Sequence, residues 1–241
     1  MKFFRAITGP TGIGKTSVAF ELLESHADYK ILNCDAFQFY REIPILSNQE
    51  ATEKEILFRG HRSLTEPWTS GDFSKETRGF LEQPVLWVGT GLYIGAALYG
   101  LDEEKIKGTP FQGEPRCDYR MLVLDMPREE LYFRLDARVE QMIALGAEKE
   151  AEQVFLRLQK NELSPNLISL KAIGLRHLLE YFQGLHSRDR AIELWKRDSR
   201  RLAKRQWTWL RKFCSASDKC WWLNVQDFGR EFSKVSEFLE F

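Results

Sequence analysis

The chain has 241 residues, 43% of them apolar, and its 35 basic and 35 acidic residues cancel. That length suits one large domain with a sizeable core, and the neutral balance announces no polyanion partner by itself. No apolar run approaches the roughly eighteen residues of a membrane span, and Met1 leads straight into a strand, so neither a membrane anchor nor a signal or transit peptide is expected. Cys34, Cys117, Cys214 and Cys220 form no C-x-x-C pair and have no His cluster beside them. This argues against a zinc site or disulfide scaffold and for the reduced thiols of a cytoplasmic protein.

In chain order, residues 3–8 read as a buried strand and residues 17–23 as a helix with Val18, Ala19, Leu22 and Leu23 on one face. Between them lies Gly9-Pro10-Thr11-Gly12-Ile13-Gly14-Lys15-Thr16, a complete G-x-x-x-x-G-K-[ST] phosphate loop in the strand–loop–helix context that the motif requires. Glycines let backbone N–H groups turn inward, and those donors meet an anion at a helix N-terminus. Lys15 is placed to reach the outer phosphate, and the Thr16 hydroxyl to hold Mg²⁺.

A second short strand, residues 29–34, ends at Asp35. A carboxylate just past a strand's C-terminal end lies on the ligand-binding edge of an open parallel sheet, the same edge as the phosphate loop. Asp35 could instead simply cap a helix. Helices are expected over 50–58 and 72–81, the latter capped by Ser70 or Asp72, with Pro44, Pro67 and Gly71 as breaks. His61, between them, reads as a structural hydrogen-bonding residue. Residues 84–93 read as a buried strand and a small-residue turn, placing the Thr90 hydroxyl on the edge that carries Asp35. Residues 99–116, with Gly100, Gly108, Pro110, Gly113 and Pro115, read as a loop.

Residues 119–125 form the next strand, and Asp125 at its end could serve as a Walker-B-like carboxylate. One or two helices follow over 128–155, with Leu131, Leu135, Val139, Met142 and Ile143 as a core stripe. Arg134 and Arg138 share another face, either solvated or reaching over the phosphate loop. A helix from Leu167 to about Phe182 stops at Gly184. A long helix over 187–213 packs Ile192, Trp195, Leu202 and Trp209, and carries ten basic residues against Asp189, Glu193 and Asp198. Basic residues interleaved with Trp suit nucleic-acid phosphates and base stacking, although a charge run is often only a solvated face. A strand at 221–225 and a helix at 233–241 close the chain. The expected fold is α/β: a P-loop NTPase-like open parallel sheet with helices on both faces and a helical C-terminal part, as a single domain over 1–241.

Several separated motifs resemble one family, the tRNA dimethylallyltransferases, also called tRNA isopentenylpyrophosphate transferases. The phosphate loop resembles that family's G-P-T-x-x-G-K-T, and Asp35-Ala36-Phe37-Gln38-Phe39-Tyr40 its D-S-x-Q-x-Y. Val88-Gly89-Thr90-Gly91-Leu92-Tyr93-Ile94 resembles G-G-T-G-L-Y-I, and Arg134, Arg138, Met142 and Gly146 its R-x-x-x-R-x-x-x-M-x-x-x-G helix. Lys171-Ala172-Ile173-Gly174-Leu175-Arg176 resembles R-A-[IV]-G-Y-[KR]. Residues 199–211 resemble T-R-x-[LY]-A-K-R-Q-x-T-W-[LF]-R, the most specific of the set. Ala36, Val88, Lys171 and Leu175 depart from the family pattern, and a short loop at 99–116 stands where the family carries a long helical insertion that helps clasp the tRNA.

The resemblance implies transfer of a dimethylallyl group from its diphosphate to the exocyclic amine of an adenosine beside the anticodon. It implies that the phosphate loop grips this diphosphate rather than ATP, with Mg²⁺ on Thr16 and with Arg138 helping to stabilise the departing group. It implies that Asp35 accepts the amine proton and that Thr90 positions the base. Asp35, Ala36, Phe37, Gln38, Lys171, Gly174, Arg176, Lys204, Arg205, Gln206 and Arg211 are then the expected contacts to the tRNA anticodon stem-loop, by a protein expected to be a monomer with no membrane partner. Alternatives at this point are an isopentenyltransferase acting on free adenine nucleotide, a P-loop nucleoside or nucleotide kinase using Asp35 and Asp125, and a tRNA-binding protein without activity.

Overall fold

In the computed structural model, which describes residues 3–49, 54–66, 68–100, 111, 114–214 and 218–241, six strands form one parallel sheet. They are β1 (Phe3–Thr8), β2 (Lys30–Cys34), β3 (Ile56–Leu57), β4 (Val85–Gly89), β5 (Asp118–Asp125) and β6 (Cys220–Asn224), in the order β3-β2-β4-β1-β5-β6. Around them lie α1 (Lys15–Glu24), α2 (Ser70–Glu76), α3 (Gly91–Tyr99), α4 (Arg128–Leu145), α5 (Ala147–Gln159), α6 (Leu175–Phe182), α7 (Arg188–Phe213) and α8 (Phe228–Phe238). The α/β expectation with helices on both faces holds.

Parallel strands covered on both faces need apolar residues at successive positions, which explains the unbroken runs in β4 and β5. One face buries Phe4, Leu32, Trp87 and Met121 under α2, α3 and the end of α7. The other buries Ile7, Leu86, Leu122 and Leu124 under α1, the start of α4 and α8. A third apolar cluster lies off the sheet, where Tyr40, Ile43 and Leu46 meet Val139 and Met142 of α4, together with α5 and α6. The 26-residue α7 touches all three: Trp195 packs in the third cluster, Ala203 and Trp207 in the second, Leu210 in the first.

Four expected elements differ. Of the helix expected over 50–58, residues 50–53 lie outside the described residues, and Ile56 and Leu57 form β3 instead, pairing with Ile31 and Leu32. The outer edge of β2 has backbone groups that need partners, and this short segment supplies them. The helix expected over 72–81 begins at Ser70 with Thr69 as cap; Asp72 reciprocates from the third helical position, and the chain tightens into 3₁₀ turns over Thr77–Glu82. The helix expected from Leu167 is a 3₁₀ turn at Ile168–Lys171, with α6 starting only at Leu175. The closing helix starts earlier, at Phe228: Asn224 caps a 3₁₀ turn that runs into it, and Phe228 and Val235 bury. The segment 128–155 is two helices, broken at Gly146. The loop expected over 99–116 falls mostly on residues 101–110, 112 and 113, outside the described residues.

Candidate active site

Sheet register assembles the site. Thr8 stands opposite Gly89, and Gly89 opposite Cys34, so β1, β4 and β2 end at one level. Gly9, Thr90 and Asp35 therefore leave the sheet side by side, with β2 two strand spacings, about 10 Å, from β1. Connections leaving β1 and β4 run to opposite sides of the sheet, which opens a crevice at their C-terminal ends. Two threonines stitch this edge: the Thr8 hydroxyl donates to Gly89 O at 3.1 Å, and the Thr90 hydroxyl to Cys34 O at 3.2 Å.

The phosphate loop turns from β1 into α1. Gly14 caps α1 at φ 98°, a left-handed conformation that a residue with a Cβ resists, and this lets the loop curl over the helix N-terminus. Lys15 Nζ donates to Gly9 O at 3.1 Å and to Pro10 O at 3.0 Å. Burial lowers the Lys15 pKa from 10.5 to about 8; the Asp35 carboxylate works in the other direction and Arg138 adds to the lowering. Two distant helices hold the loop. Arg138 Nη2 on α4 donates to Thr11 Oγ1 at 3.0 Å, and the Thr11 N–H donates to Gln206 Oε1 on α7 at 2.8 Å. Arg138 thus reaches over the loop, as one of its two readings had it.

Asp35 is held by its own turn. Its N–H donates to Asn33 Oδ1 at 3.1 Å, and its Oδ1 accepts the Phe37 N–H at 3.2 Å. A cavity of about 740 Å³ joins these parts, lined by Lys15, Thr16, Asp35, Thr90, Arg138 and Gln206. Thr11, Gly12, Gly14, Ala36, Phe37, Gln38 and Arg205 also line it. On α4 the wall is Phe133, Arg134, Ala137, Arg138 and Gln141, the face turned away from core residues Leu131 and Leu135. On α7 it is Ser199, Leu202, Arg205, Gln206 and Trp209 at helical spacing. Leu202 and Trp209, expected as core, are only half-buried because they face this cavity.

Other expected residues lie elsewhere. Gly9 and Pro10 contribute the carbonyls that hold Lys15, and the Ile13 side chain is fully buried beneath the loop. Gly174 is buried against Trp195, so it presents no surface to RNA, because α6 packs on α7 there. Arg176 pairs with Asp198 at 2.8 Å, and Lys171, Lys204 and Arg211 are exposed outside the cavity. Gln206 faces the phosphate loop rather than solvent. Asp125 accepts from Trp207 Nε1 at 2.7 Å and lies outside the cavity wall, which removes the second carboxylate of a kinase. His61 is structural, its Nδ1 3.1 Å from Phe58 O.

The basic excess of α7 is also smaller than its own sequence implies. Arg200 meets Asp136 at 2.5 and 2.6 Å, Lys196 pairs with Glu140, and Arg188 meets Glu148 at 2.6 Å. Arg197 and Arg201 share Asp198. Among the described residues, Lys204, Arg205 and Arg211 have no carboxylate partner.

The family model described as IPP transferase matches residues 103–213, from before β5 to the end of α7. Residues 103–213 are thus similar to an IPP transferase domain. The matched stretch holds Arg138, Gln206 and Trp209; the phosphate loop and Asp35 precede it. Similarity to whole proteins extends further. The tRNA dimethylallyltransferase of Acetivibrio thermocellus is 27% identical over 92% of this chain and 91% of its own, and that of Enterococcus faecalis 28% identical over 97% and 96%. The first alignment spans 299 positions, more than the 241 residues here, so that relative carries segments with no counterpart in this chain. In fold, the chain is similar to the tRNA isopentenylpyrophosphate transferase of Bacillus halodurans, with a TM-score of 0.80 at 21% identity, covering 100% of this chain and 97% of that one. The resemblance drawn from the motifs is borne out.

Proposed function

We propose that this protein is a tRNA dimethylallyltransferase: it moves a dimethylallyl group from dimethylallyl diphosphate to the exocyclic amine of the adenosine next to the anticodon. The observation that carries the reading is one cavity joining a phosphate loop to a carboxylate two strands away, in a chain whose relatives bear that name. The allylic carbon–oxygen bond breaks with its electron pair leaving on the diphosphate, and a new carbon–nitrogen bond forms. Donors already aimed at the departing anion stabilise that charge: loop N–H groups, Lys15 and Arg138. The diphosphate's charge returns Lys15 to its protonated form on binding.

The amine loses its proton as the new bond forms, and Asp35 accepts it. A weak base suffices, because the nitrogen turns acidic only as it becomes cationic. The Asp35 turn leaves Oδ2 for this role, since Oδ1 holds the Phe37 N–H. Thr90 spends its proton on Cys34 O, so its oxygen is left as an acceptor, the polarity an amine N–H needs. Mg²⁺ fits the donor present, the Thr16 hydroxyl beside a diphosphate, because this ion keeps mostly water and phosphate oxygens. When bound it would neutralise charge on the leaving group. The protein works in the cytoplasm as a single copy.

The test supplies dimethylallyl diphosphate and Mg²⁺ with either unmodified anticodon stem-loop RNA or AMP, read by mass spectrometry. RNA is expected to gain one five-carbon unit, at a rate reduced about 100-fold or more in Asp35→Asn. Gain on AMP alone would transfer the reading to a free-nucleotide enzyme, and no gain on either would refute it.

A further inference from the structure

Six large apolar side chains are exposed among the described residues, and two of them, Phe133 at 76% and Leu92 at 46%, stand in the cavity wall. Single exposed apolar residues are ordinary. An exposed aromatic in the wall of a reaction cavity marks where that cavity meets solvent. Among the described residues no other ring lies against Phe133, so its faces are open. Arg205, exposed and without a carboxylate partner among the described residues, lines the same cavity, and half-buried Trp209 lies one helical turn further along α7.

We infer that Phe133 is the stacking platform for a nucleotide flanking the acceptor adenosine, with Arg205 on the adjoining phosphate. The inference rests on the proposed function and adds how the acceptor strand is held once its base has left the stack. An open aromatic face and a guanidinium with no carboxylate partner among the described residues, in the wall of one cavity, are what single-stranded nucleic acid offers partners for. The five-carbon donor does not explain Phe133, because its diphosphate sits at the loop and the ring lies at the solvent end. A cation in the same cavity wall, with no carboxylate partner among the described residues, favours a polyanion over a second copy of this chain.

Stem-loop RNA carrying 2-aminopurine on either side of the acceptor is titrated against wild type, Phe133→Ala, Phe133→Trp and Arg205→Ala. Wild type should quench or shift the probe at one flanking position. Phe133→Ala should lose that signal and weaken RNA binding roughly 5- to 100-fold, with an unchanged salt slope and an unchanged KM for the donor. Phe133→Trp should keep the signal. Arg205→Ala should keep it too but lower the salt slope by about one. RNA binding within twofold of wild type in Phe133→Ala overturns the inference. So does a raised donor KM, which would make the ring a donor contact, or a change in oligomeric state by light scattering, which would make it a self-association surface. Wild type that prenylates the RNA while Phe133→Ala behaves identically sinks only this role; wild type that prenylates nothing sinks the underlying function with it.

Discussion

Lys15 offers the sharpest quantitative test. With its pKa lowered to about 8, its ammonium is roughly nine-tenths charged at pH 7 and one-tenth at pH 9, whereas an unshifted lysine would stay almost wholly charged. A bound diphosphate pulls the pKa back up, so above pH 8 binding must take up a proton. Affinity for a non-reacting dimethylallyl diphosphate analogue should then fall about tenfold between pH 7 and pH 9, close to 1.4 kcal/mol. The ligand contributes little to that slope, since phosphomonoesters finish ionising near pH ~6. Titration calorimetry from pH 7 to 9.5 measures it, and Lys15→Arg, charged throughout, should bind with a flat profile. The same shift acts on folding with the opposite slope. Because the unfolded lysine holds its proton to pH 10.5 and the folded one only to about 8, stability should rise across that interval. A wild-type affinity that does not change between pH 7 and 9, or an arginine variant equally steep, would refute the reasoning.

Two further outcomes follow from packing and charge. Arg200→Ala should leave the salt slope of RNA binding unchanged, because Asp136 already holds that guanidinium, whereas Lys204→Ala and Arg211→Ala should each lower it by about 0.7–0.9; equal slopes in all three would show the α7 ion pairs to be no barrier to RNA contact. A Cβ on Gly91 would stand 2.0 Å from the Trp209 ring, so Gly91→Ala should cost about 1–3 kcal/mol in urea unfolding and disturb the cavity wall; unchanged stability would mean that Trp209 moves freely.

What could be read from the sequence was local. The phosphate loop, its strand and its helix lie within two dozen residues, and each constrains the next. The Thr11–Gln206 bond joins residues 195 apart, and no period or motif announces it. The basic face of α7 misleads for the same reason: its neutralising acids, Asp136, Glu140 and Glu148, sit on α4 and α5. A two-residue strand such as β3 is too short to carry alternation, so the edge of β2, not the residues themselves, decides its conformation. Phe133 lies off the apolar stripe of Leu131, Leu135 and Val139, and only the cavity shows what its exposed ring faces.

The interleaving of β4 between β1 and β2 has a consequence for biosynthesis. The first two strands emerge early from the ribosome, but neither touches the other; each must wait, edge open, until residues 85–89 slot between them. Such non-local pairing is slow. The anion cradle and its partnering acid therefore come into register late, and a nascent chain halted before residue 85 has both pieces of the machinery with nothing to set their separation.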